Sequence, residues 1–104
     1  MGTVITGKKI TLPANQEKVE TILTVPEGKK ITIRAFGKTT SPDYIAILER
    51  DGNREIEMPA DLAMGYGAFI PYNREVEGPA DIKVGGLNLT SSDIEISVAL
   101  AYEE

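Results

Sequence analysis

Apolar residues recur at every second position through most of this chain, and a chain with that rhythm builds sheets with one buried face rather than helices. The clearest run is "DIEISVALAY". Ile94, Ile96, Val98, Leu100 and Tyr102 share one face, while Glu95, Ser97, Ala99 and Ala101 share the other.

The same rhythm puts Ile31, Ile33 and Ala35 on one face of "KKITIRAFG", with Thr32, Arg34 and Phe36 opposite, after a turn at "PEGK". "VETILTV" alternates Val19, Thr21, Leu23 and Val25 with Glu20, Ile22 and Thr24, so both of its faces are partly apolar. "YIAILER" and "REIEM" flank Asp51-Gly52-Asn53 and read as a hairpin, because these residues accept the positive φ angles of a tight turn. Further strands are expected over Val4–Leu12, with a break at Gly7, around Ala68–Tyr72, and at "ADIKVGG". "PADLAMG", Pro59–Gly65, is the one helical candidate and is long enough for a single turn. The expectation is all-β: one domain over residues 1–104, an antiparallel two-sheet β-sandwich, jelly-roll-like, with about seven or eight strands.

Composition narrows the function classes. With no histidine and no cysteine, imidazole and thiol catalysis and the common zinc and iron sites lose their ligands, so no enzyme activity and no cofactor is expected. Eleven basic residues against sixteen acidic ones leave a net charge of −5, which repels phosphate backbones and anionic lipid, so neither nucleic acid nor membrane is an expected partner. Lys8-Lys9 and Lys29-Lys30 precede alternating runs as solubilising strand-entry pairs. The longest apolar runs are too short for a membrane helix and no apolar leader follows Met1, which makes a cytoplasmic protein the default; "MGTVIT" also fits the short myristoylation pattern.

Several short motifs have plain structural readings. Glu49, Asp51, Glu55 and Glu57 cluster along the hairpin as a solvated face rather than as a glycosidase pair. Asp51, Asn53 and Glu55 alternate like calcium ligands, but Gly52 and the missing distal glutamate fit a hairpin tip better. Gly65 and Gly67 lack the third glycine and the β-α-β context of a dinucleotide loop, and "NLT" at Asn88–Thr90, which matches a glycosylation acceptor, sits beside the loop residues "TSSD".

The segment Ala63–Tyr72 stands outside the alternation and holds Tyr66, Phe69 and Tyr72, so it either closes the open end of the sandwich as core or is the leading candidate surface. Together with Ile70, and with Val4 and Ile5 on the N-terminal strand, these residues are the expected interface. The alternative is a carbohydrate-binding module that stacks sugars on the aromatics of 66–72.

"LTVPEGKKITIRAFG" and "VEGPADIKVGGLNLTSSDIEISVALAYEE" resemble the small jelly-roll decoration (cement) and accessory proteins of tailed-phage virions. The resemblance covers about half the chain, through strand rhythm and turn phrases, and transfers no site residue. It implies a non-enzymatic structural protein that assembles as a homo-oligomer, often a trimer, on the outer surface of a capsid and stabilises it against internal pressure.

Overall fold

The structure, a computed structural model, describes residues 2–62 and 69–104. Eight strands follow one another: β1 (Thr3–Leu12), β2 (Glu17–Val25), β3 (Lys30–Lys38), β4 (Tyr44–Arg50), β5 (Asn53–Pro59), β6 (Phe69–Glu77), β7 (Ala80–Asn88) and β8 (Ile94–Glu103). Every pairing is antiparallel, in two four-stranded sheets ordered β1-β8-β3-β6 and β2-β7-β4-β5. Consecutive strands alternate between the sheets except at the β4–β5 hairpin, which gives the antiparallel two-sheet sandwich that the periodicity predicts. Gly7 does not break β1, whose ten residues pair with β8 in one uninterrupted register.

The inward faces close on one core. Ile96, Val98, Leu100 and Tyr102 of β8 meet Ile10 and Leu12 of β1 and Ile31 and Ile33 of β3 from one sheet, and Val25, Tyr44, Leu48, Ile82 and Val84 from the other. The hairpin tip has Asp51 at φ 51° and Gly52 at φ 82°, the pair of left-handed residues that a two-residue turn requires.

Two bulges depart from strict alternation. In β3 the register shifts between Ile33 and Ala35, so Phe36 joins the core at 0% exposure and Ala35 turns outward, the reverse of the faces expected from periodicity. In β2 the shift between Thr21 and Leu23 lets Val19 face outward and Val25 inward, which accounts for apolar residues on both faces of that strand. The helical turn expected from Pro59 is, over its described part, the end of β5 followed by a Leu62 N–H to Pro59 carbonyl turn; residues 63–65 lie outside the described residues.

The outer side of the second sheet is strongly curled. Ile47 alternates with the core residues Ala46 and Leu48 and so points away from the core, yet it is 0% exposed. Its cross-strand neighbour is Gly85, and a Cβ built there would overlap the Lys18 carbonyl oxygen of β2. The start of β2 therefore lies over this face and roofs Ile47. Arg54 fastens the arrangement, with its guanidinium 2.7 Å from Glu17, 3.1 Å from Glu49 and 3.3 Å from Glu57. Those bonds, to Glu17 first, hold Arg54 above its ordinary pKa.

Candidate functional site

The outer face of the first sheet is built differently. Because Val98 and Leu100 point into the core, Ala99 and Ala101 point out, and the pairings extend each into a row across the sheet. One row runs Ile5, Ala101, Ala35, Pro71; the next runs Gly7, Ala99, Gly37, Phe69. Eight neighbouring positions thus carry no polar side chain on a surface that alternation alone would make polar.

Charged and polar groups frame this patch. At one end Arg34 reaches from its bulge to Glu103 at 2.5 Å and to Asn73 at 3.2 Å. At the other, Lys9, Ser97 and the Thr39–Ser41 loop bound a groove of about 600 Å³ whose floor is Gly7, Ala99 and Gly37 and whose wall is Phe69. The Phe69 ring leans on Gly37, where an added Cβ would lie 2.7 Å from the ring.

Beside the patch, the start of β1 is apolar on both faces, with Val4 40% and Ile5 65% exposed. Covering an isoleucine fully is worth about 1.5–3 kcal/mol, so much of the value of Ile5 is unrealised in the isolated chain. Lys8, on the inner side of the same strand, is occupied: its ammonium lies 3.1 Å from Glu20 of β2, and that bond is the leading reason the Glu20 pKa is lowered.

The remaining expected interface residues fall elsewhere. Ile70 points inward and is 7% exposed, so it is a core residue and not part of a contact surface. Tyr72 is half-buried against the core and clasps the two sheets at their β5/β6 side, donating its hydroxyl to Glu55, with Arg74 5.7 Å over the ring. Burial first, then the Glu55 bond, pushes its pKa up to about 12. Tyr66 lies outside the described residues.

Other motifs are structural. Asn88 is 1% exposed, donates to the carbonyls of Leu12 and Ser92 and accepts from Thr90, so the "NLT" amide is committed to holding the β7–β8 loop. Asp51 accepts from the Asp81 backbone N–H at 2.8 Å and Glu55 from Tyr72, which engages two of the three residues weighed as calcium ligands; among the described residues no group of three acids converges. Lys38, 3% exposed, donates to the carbonyls of Ala60 and Leu62 at 2.6 and 2.8 Å, and desolvation lowers its pKa. It anchors the chain where β5 leaves the sandwich.

The positions that sequence reasoning missed are the small ones: Ala35, Gly37, Ala99 and Ala101. A signal was present in "DIEISVALAY", whose outward face changes from Glu95 and Ser97 to Ala99 and Ala101.

No protein-family model matches this chain, and no curated protein matches it in sequence. Among solved structures it is similar to the nucleoplasmin-like N-terminal domain of Drosophila FKBP39, with a TM-score of 0.44 and 10% identity over 100% of this chain and 93% of that one.

Proposed function

We propose that this chain is a non-enzymatic structural protein that docks on a larger protein assembly through the outer face of the β1-β8-β3-β6 sheet, and that it does so as a homo-oligomer. The observation that carries this reading is the pair of apolar rows, Ile5-Ala101-Ala35-Pro71 and Gly7-Ala99-Gly37-Phe69, continuous with the exposed start of β1. Small side chains give a smooth surface on which another protein packs closely, and the framing charges of Arg34, Glu103 and Lys9 supply a polar rim. The sequence resemblance points to a virion capsid as the assembly and to the virion surface as the location.

The carbohydrate reading draws on the groove, where Phe69 stands near Thr39, Thr40 and Ser41. Against it, the Phe69 ring already leans on Gly37, and Tyr72 is tied to Glu55 and covered by Arg74. Neither aromatic is left as an open platform.

Density-gradient sedimentation of native particles tests the proposal. The wild-type protein should travel with a particle far larger than its own 11.3 kDa, and Ala99→Arg, which places a charge mid-patch without touching the core, should leave it at the top. A wild-type protein that sediments only at its own size, or an Ala99→Arg variant that still travels with the particle, contradicts it. Glycan-array binding that is lost on Phe69→Ser would favour the carbohydrate reading instead.

A further inference from the structure

Three of the four sheet edges carry devices that block strand addition. β6 has Pro71 and lies against the bulge at Arg34, β2 is bulged and folds over its own sheet, and β5 is seven residues long, ends in Pro59 and is latched by Arg54. β1 differs. Its ten residues contain no proline, its pairing with β8 has no bulge, and its exposed end is Val4-Ile5. Among the described residues it is the edge with no proline, bulge or latch, and its two lysines, Lys8 and Lys9, lie beyond the apolar Val4-Ile5 end.

Gly7 sharpens the point. A glycine in the interior of a strand weakens it, and marks a bulge, a bend or the close approach of another chain. β1 has no bulge there, and a Cβ on Gly7 would meet only ordinary contacts, 3.5 Å to the Val98 carbonyl oxygen and 3.7 Å to the Ala99 Cβ. Nothing described within one copy requires a glycine at this position.

We infer that β1 pairs antiparallel with β1 of a second copy about a two-fold axis at Thr6, joining the two β1-β8-β3-β6 sheets into one. This rests on the reading of the chain as a docking protein and names one of its partners. In that register Thr6 meets its own equivalent, Ile5 lies opposite Gly7 of the partner subunit, and the missing side chain of Gly7 makes room for the branched one. Val4 lies opposite Lys8 of the partner subunit, whose aliphatic stem covers it. Thr3 lies opposite Lys9 of the partner subunit, and Thr3 is itself paired with Glu103. Lys9 and Glu103 then stand two strand spacings apart on one face, about 10 Å between Cα atoms, within reach of opposite charges on long side chains. No lysine faces a lysine. A shift of one residue would turn the partner's apolar rows to the opposite face of the joined sheet, so the pattern of faces excludes odd shifts, and the fit of Ile5 against Gly7 selects this register among the even ones. The same operation joins the apolar rows of the two copies into one surface, and the partner's backbone satisfies the free N–H and C=O groups of β1.

Native mass spectrometry and sedimentation equilibrium of the full chain test this inference, with wild type, Gly7→Val and Ile5→Lys compared over a range up to about 100 µM. Wild type should give twice the chain mass. Gly7→Val should raise the dimer dissociation constant about tenfold or more while its monomer melts no lower than wild type, since valine suits a strand better than glycine. Ile5→Lys should behave likewise, and amide exchange along β1 should quicken in both variants. A monomeric or trimeric wild type, or variants that dimerise as tightly as wild type, would overturn the pairing. Particle association is scored separately: a dimer that fails to join particles removes the docking proposal, and a monomer that joins them removes this inference and the homo-oligomer part of the proposal while leaving the docking surface standing.

Discussion

At the scale of single residues, three polar groups that this fold buries or half-buries join segments distant in sequence. Asn88 holds the loop before β8 to the end of β1, Lys38 holds the end of β5, and Tyr72 bridges the two sheets. Tyr72 makes a measurable commitment. In the native chain its phenol keeps its proton to about 12, whereas an unfolded chain releases it near 10.0, so between those values the unfolded state binds fewer protons and stability falls as pH rises. Tyr72→Phe should remove that part of the alkaline loss in urea-denaturation midpoints, and should cost about 1.5–3 kcal/mol at neutral pH by deleting a hydrogen bond to a carboxylate. Unchanged alkaline behaviour in Tyr72→Phe would show that the Glu55 clasp does not form.

At the scale of elements, β2 depends on one glycine. Gly85→Ala sets a methyl group against the Lys18 carbonyl and should lift the start of β2, expose Ile47 and break the Arg54 latch, at a cost of about 3 kcal/mol in denaturant unfolding. Arg54→Ala alone should cost about 1 kcal/mol, because its ion pairs are partly exposed at the surface. A Gly85→Ala protein as stable as wild type would mean that β2 does not roof Ile47.

The strands were readable from the sequence because burial on one face imposes period two, and the hairpin was readable because Asp51-Gly52 suits only a narrow range of turns. The two bulges were not. One extra residue exchanges the faces of everything beyond it, and in "ITIRAFG" alanine and phenylalanine are both tolerable inside, so pattern alone assigns Ala35 and Phe36 the wrong way round. Ile47 was hidden for another reason. Its cover comes from β2, far off in sequence, and curvature at a glycine leaves no periodic trace. For the candidate surface, Val4, Ile5 and Phe69 were accessible from exposed apolar character, whereas the alanine and glycine positions acquire meaning only when the strand order sets them side by side.

At the scale of the whole molecule, the two outer faces divide the work. The β2-β7-β4-β5 face is closed by its own edge strand and crossed by a charged latch, while the β1-β8-β3-β6 face is smooth, apolar and continuous with an open edge. Under the docking proposal, the smooth apolar face meets protein and the latched face meets solvent. Hydroxyl-radical footprinting of the protein within its native particle, set against the isolated chain, tests this division most directly. Ile5, Pro71 and Phe69 should be protected in the particle while Leu89, 46% exposed in the β7–β8 loop and outside the two apolar rows, is labelled equally in both. Equal labelling of Ile5, Pro71 and Phe69 in the particle and in isolation would contradict the account.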